Sequence, residues 1–152
     1  LVDTAGFMVG PDSEKQGAVN HMTGLFVAGA KLEVPLVCIF LRKGYGLGAM
    51  AMAGGSFKVP LYTASWPTGE FGAMGIEGAV KLGFKKELES VKDNVARERL
   101  FAGLVKKLYD RGKATEAASF LEIDAVIDPS ESRLMITKAF KNYLIKNRIT
   151  HL

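Results

Sequence analysis

The sequence predicts an α/β fold with layers of helix on a mostly parallel sheet. Three observations carry this expectation. Short apolar strand patterns alternate with helical ones along the whole chain. Residues 36–41 are continuously apolar, as a strand buried on both faces requires. Most of the 17 glycines fall in the first half, so backbones must approach closely there, while the second half is rich in Lys, Arg and Glu and reads as helices.

The elements follow in order. Leu1 to Asp3 reads as the end of a strand, so residues before Leu1 are expected in the full protein. Two glycines and Pro11 mark a loop. Ser13 and Gln16 have capping-box spacing and predict the start of a helix that carries Val19, Met22, Leu25, Phe26 and Gly29 on one face. Val34-Pro35 ends it. The strand at 36–41 follows, then a helix at 46–53, stopped by Gly54-Gly55. A strand is predicted at 61–65, a loop at 66–72 and a tightly packing Gly/Ala helix at 75–84. Residues 87–111 read as helix, broken near Asp93-Asn94, with Leu100, Leu104, Val105 and Leu108 as its apolar stripe. Residues 120–126 are strand-like. Asp128-Pro129-Ser130-Glu131 supplies an N-cap, a proline at the first helical position and a glutamate at the third. It opens a last helix to about Lys146, with Ile136, Phe140, Tyr143 and Leu144 on one side. About three strands are visible, too few to face this many helices, so a partial domain is expected.

The chain has 152 residues, 48% hydrophobic and 24% charged, which suits one core-forming domain. The net charge of +4 is spread over the later helices. It could attract an anionic substrate, but it lacks the basic stripe interleaved with aromatics that nucleic-acid binding needs. No nucleic-acid or membrane partner is expected: no apolar run approaches a membrane span. The single cysteine, Cys38, cannot pair within the chain and points to a cytoplasmic, reducing compartment. It reads as a core side chain.

Side-chain catalytic constellations are poor. His21 and His151 share no spacing with Cys or paired carboxylates, so no metal is expected. Nucleophile-elbow, Walker and Gly-x-Gly-x-x-Gly patterns are absent. Trp66 suits a core anchor or a ligand wall equally. Arg42-Lys43 could face an anion or cap a strand end. The backbone is the stronger candidate. Gly46, Leu47 and Gly48 stand where the strand hands over to a helix, and N–H groups there have no partner within the helix. Two such donors aimed at a developing oxyanion could contribute about 3 kcal/mol each. The same glycines could instead serve close helix–strand packing; spacing leaves both open.

Several segments together resemble one family: residues 1–10, Glu14-Lys15-Gln16-Gly17-Ala18-Val19, Arg42-Lys43-Gly44-Tyr45-Gly46-Leu47-Gly48-Ala49, Trp66-Pro67-Thr68-Gly69-Glu70-Phe71, residues 119–124 and Val126-Ile127-Asp128-Pro129. In order and spacing they resemble the carboxyl-terminal part of the carboxyltransferase (β) subunit of biotin-dependent acetyl-/propionyl-CoA carboxylases. The resemblance implies a crotonase-like (ClpP/crotonase) fold of stacked ββα units, with residues 1–152 a carboxyl-terminal domain incomplete at its N-terminal side. It implies carboxyl transfer from carboxybiotin to the α-carbon of acetyl-CoA or propionyl-CoA. The biotin comes from a biotin carboxyl carrier/biotin carboxylase partner, and the active site lies between subunits of a homo-oligomer.

On this chain the resemblance places the biotin-side oxyanion hole at Leu47 and Gly48, beside Gly46, with Tyr45, Ala49, Met50 and Phe7 as substrate- or biotin-binding positions. No side-chain nucleophile or metal is then needed. Gly48→Val is expected to abolish transfer with the fold intact. Two departures stand out. Ala5 occupies a position where relatives usually carry proline. Met50 occupies one where they often carry a polar residue that helps set acyl specificity. An amino-terminal domain would bind the CoA thioester, so this piece alone is expected to be inactive. A biotin-dependent acyl-CoA decarboxylase subunit and a non-catalytic oligomerising remnant are the alternatives.

Overall fold

A computed structural model describes residues 1–150, with side chains as far as Lys146. His151 lies outside the described residues. Five strands form one parallel sheet: β1 (Val2–Thr4), β2 (Val37–Tyr45), β3 (Tyr62–Ser65), β4 (Glu70–Gly72) and β5 (Ala125–Val126). The order is β1-β2-β3-β5, and β4 pairs with the far end of β2. β2 is thus the central strand. Its first half pairs with β3, from Val37 with Tyr62 to Phe40 with Ser65. Its second half pairs with β4, from Lys43 with Glu70 to Tyr45 with Gly72.

The apolar run of β2 is buried as predicted: Cys38, Ile39 and Phe40 are at most 2% exposed. Alternate side chains enter two cores. Cys38 and Phe40 join Val2, Ala49, Phe71 and Ile123 on one face, and Phe40, Phe57 and Phe71 pack there with centroids 4.9–5.9 Å apart. Ile39 joins Ala64 and Ile127 on the other face, packed against Tyr62, Trp66 and Met135. Trp66 is a core anchor, and its indole N–H donates to Ser132 Oγ at 2.9 Å.

Eight helices accompany the sheet among the described residues: α1 (Pro11–Lys15), α2 (Ala18–Ala30), α3 (Gly46–Met52), α4 (Ile76–Gly83), α5 (Lys85–Ser90), α6 (Asn94–Arg111), α7 (Ala114–Ser119) and α8 (Ser132–Thr150). The break at Asp93-Asn94 is present, and Asp93 Oδ2 caps α6 by accepting from the Ala96 N–H at 2.8 Å. The Asp128 turn is a complete capping box: its carboxylate accepts from Ser130, and Glu131 Oε2 accepts from the Asp128 N–H.

Several expectations are corrected. The Ser13/Gln16 capping box does not form, because α1 already starts at Pro11 and Gly17 at φ +71° breaks the helix behind Gln16. The predicted face of α2 is divided: Met22, Phe26 and Gly29 are half-buried, but Val19 is 62% and Leu25 43% exposed. The loop predicted at 66–72 contains β4. The strand predicted at 120–126 is mostly a turn after α7, and only Ala125–Val126 pairs. The sheet has five strands rather than three.

Candidate functional site

The strand-to-helix turn is a single joint. β2 ends at Tyr45, which is also the N-cap of α3. Gly46 takes φ +58°, a left-handed conformation that glycine adopts without a Cβ penalty. The chain then turns directly into the helix. Gly46, Leu47 and Gly48 occupy its first three positions, and their N–H groups have no intrahelical acceptor. The Tyr45 side chain makes no cap bond to them. Among the described residues, no backbone carbonyl outside helices and ladders accepts from these three, and no side chain does. Leu47 is 61% exposed.

Gly48 is buried against the loop that follows β1. A Cβ on it would stand 3.0 Å from Gly6 Cα and 3.3 Å from the Phe7 nitrogen. The close packing that the sequence allowed for is thus present at Gly48, and its N–H belongs to the first turn of α3. The Phe7 backbone adjoins this turn, and its ring packs edge-on to Phe26 with centroids 6.4 Å apart.

The predicted positions separate around the turn. Met50 faces a cavity of about 510 Å³ lined also by Gly44, Gly46, Phe57, Phe71 and Leu121. Lys58 and Glu122 are its charged members. Ala49 has no exposed surface and packs in the core beneath the helix. Tyr45 is 3% exposed and lines a different cavity, of about 780 Å³, with Lys43, Glu70, Glu77 and Lys106. Its hydroxyl donates to Glu70 Oε2 at 2.7 Å. Burial, then the Glu70 carboxylate, raises the phenol pKa well above its usual range.

Arg42 and Lys43 serve the sheet edge. The Lys43 N–H donates to Asp3 Oδ1 at 3.0 Å, and the Arg42 guanidinium lies 3.6 Å from Asp3 Oδ2. His21 is exposed on α2. Among the described residues, no cluster of three His, Cys, Asp or Glu could hold a metal, and no helix is long and apolar enough to cross a membrane.

Sequence reasoning missed Leu121. It takes φ +59°, is 73% exposed and lines the Met50 cavity. Only the failure of residues 120–124 to alternate cleanly could have signalled a turn there.

Residues 1–151 match the family described as the carboxyl transferase domain. The methylmalonyl-CoA carboxyltransferase 12S subunit of Propionibacterium freudenreichii subsp. shermanii is 31% identical over 152 residues, covering 97% of this chain and 28% of the relative. The methylmalonyl-CoA decarboxylase α subunit of Propionigenium modestum is 33% identical over 140 residues, covering 92% of this chain and 26% of the relative. Among solved structures, a single-chain, multi-domain long-chain acyl-CoA carboxylase superposes with TM-score 0.79 at 55% identity, over 90% of this chain and 13% of that one. The transcarboxylase 12S hexamer, with methylmalonyl-CoA bound, superposes with TM-score 0.80 at 29% identity, over 95% of this chain and 27% of that one. The parallel sheet belongs to the crotonase-like class of these neighbours. The chain spans about a quarter of the length of the curated relatives it matches.

Proposed function

The chain belongs to the carboxyl transferase domain family, and we propose that residues 1–152 are part of the carboxyl-terminal domain that holds the biotin side of a biotin-dependent acyl-CoA carboxylase. Carboxybiotin, carried on a partner protein, supplies the carboxyl group that is moved to the α-carbon of acetyl-CoA or propionyl-CoA. The observation that carries this reading is the joint at Gly46. It puts Leu47 and Gly48 in the first turn of α3, where N–H groups have no i−4 acceptor within the helix, while Gly46 and Met50 on either side of them line one cavity.

These residues fit a ureido group. Two adjacent peptide donors at a helix start favour a negative oxygen. Held by a buried glycine contact, they need no reorganisation when charge develops there. Leu47 and Gly48 would hold the ureido oxygen and Met50 and Phe7 would contact the bound groups, while Ala49 sits in the core beneath the helix. No side chain of this chain has to act as nucleophile. The domain works with a biotin carboxyl carrier/biotin carboxylase partner and with further copies of its own subunit, as the hexamer of the 12S relative supports. The buried, unpaired Cys38 suits a cytoplasmic protein.

A second reading of the substrate, a long acyl chain, is favoured by the apolar side chains of Met50, Phe57 and Leu121 around the cavity and by the 55% identity to a long-chain acyl-CoA carboxylase. The decarboxylase relative keeps the reverse reaction in view.

Leu47→Pro in the full-length protein tests the donors. Proline is tolerated in the first helical turn and removes one N–H. Transfer should fall by about 10²–10³, while Leu47→Ala, which keeps the N–H, should stay near wild type. Equal activity of the two variants would remove the oxyanion role.

A further inference from the structure

The Tyr45 phenol crosses to the neighbouring strand instead of capping its own helix. Tyr45 pairs in register with Gly72, and Glu70 stands two residues earlier on β4. The ring lies over Gly72, where a Cβ would be 3.3 Å from Cε1. The hydroxyl reaches Glu70 Oε2 at 2.7 Å. Hydrogen bonds to a carboxylate are among the stronger ones, and this phenol is buried. A phenol is protonated, and so a donor, across the neutral range, and burial and the Glu70 carboxylate raise the pKa of this one further.

Glu70 is itself on a fixed support. The Phe71 N–H donates to the Gly112 carbonyl at 2.6 Å, and the Ala114 N–H to the Gly69 carbonyl at 3.0 Å. β4 is therefore held by β2 on one side and by the α6–α7 junction on the other. A tyrosine tethered to this strand cannot swing freely. Its main chain leads straight into Gly46, which has no side chain to hold its own dihedrals. Gly46, at φ +58°, is the single residue between the tethered Tyr45 and Leu47.

We propose that Tyr45 is a positioning residue: anchored to Glu70, its side chain sets the direction in which Leu47 and Gly48 present their N–H groups. The proposal rests on the oxyanion reading above. Displacements well under 1 Å matter for such donors, and misplacement of about 1 Å can cost 10²-fold in rate.

The test uses the full-length subunit in its holoenzyme. Tyr45→Phe is expected to lower kcat for carboxyl transfer about tenfold, with KM for acyl-CoA and the melting temperature nearly unchanged. Glu70→Leu should match it. Glu70→Gln, which keeps an oxygen acceptor, should restore most of the turnover, and the Tyr45→Phe/Glu70→Leu double variant should be no worse than either single one. A Tyr45→Phe kcat within twofold of wild type, or a loss seen only in KM or melting temperature, overturns the proposal. Leu47→Pro in the same series separates the two claims. If Leu47→Pro is impaired and Tyr45→Phe is not, only the positioning role fails. If Leu47→Pro turns over normally, the oxyanion reading fails and takes the positioning role with it.

Discussion

The carbonyl oxygen of Ala73 lies 2.7 Å from where a Cβ on Gly46 would stand. This contact, together with φ +58°, makes Gly46 the least replaceable residue of the strand-to-helix joint. Gly46→Ala combines left-handed strain of about 1–2 kcal/mol with a clash against main chain, which cannot rotate away. The variant should lose about 2–3 kcal/mol of stability by urea unfolding, since the chain just after β4 must shift to make room. Carboxyl transfer by the full-length protein should fall at least tenfold. An unfolding midpoint equal to wild type would show that the joint has slack.

Gly48 presents a second backbone contact, and it corrects an expectation. Gly48→Val was expected to remove activity and spare the fold. Its Cβ would meet Gly6 Cα at 3.0 Å and Gly6 C at 3.1 Å, so the loop after β1 has to move. Even Gly48→Ala should therefore destabilise, by about 1 kcal/mol, an overpacking effect. Thermal melts of Gly48→Ala and Gly48→Val should fall in that order. Valine melting no lower than alanine would argue against a close approach of helix and loop. For this reason Leu47, exposed and free of packing, is the cleaner probe of the donors.

The parts of the fold that local patterns dictate were readable. The run at 36–41 had to be a doubly buried strand, and Asp128-Pro129-Ser130-Glu131 had to be a cap. β4 was not readable. Its three residues include one apolar side chain, Phe71, and carry no period; pairing with Lys43–Tyr45 and the hold of Gly112 on Phe71 make it a strand. The exposure of Val19 and Leu25 was hidden too, because periodicity says which residues share a face and not whether anything covers it. At the site, the glycine spacing pointed to the joint. It could not show that the Tyr45 side chain turns to Glu70 while Met50 turns to the other cavity. That division depends on the register of β2 with β4.

Leu121 is a non-glycine residue at φ +59° with its side chain 73% exposed. The exposed side chain gains little from packing, so its left-handed strain is only partly offset. Replacement by glycine relieves about 1–2 kcal/mol of strain and costs about 0.5–1 kcal/mol of unfolded-chain entropy. Leu121→Gly should therefore raise stability by about 0.5 kcal/mol. Leu121→Val, branched at Cβ, should lower it. Urea titration of the three proteins checks the order. In the full-length enzyme Leu121→Gly also removes a side chain from the cavity that Met50 lines, so the ratio of long-chain to short-chain acyl-CoA turnover should change.

Cys38 couples the central strand to pH. It is 2% exposed, and burial pushes its thiol up to about 11 from an ordinary value near 9.0. The sign follows from linkage. Between these two values the unfolded chain has released the thiol proton and the folded chain still holds it. The unfolded state then binds fewer protons, so stability falls as pH rises. The contribution is fully present below pH 9 and is lost as pH climbs towards 11. Its size, from a shift of this order, is about 3 kcal/mol. Urea midpoints of wild type should drop between pH 8.5 and pH 10.5 by more than those of Cys38→Ala, in which every other titrating group remains. The same burial predicts that a thiol reagent at pH 8 modifies Cys38 only after urea is added. Parallel midpoint curves for the two proteins, or rapid modification of the folded one, would place the thiol in contact with water and take away its part in the alkaline loss of stability.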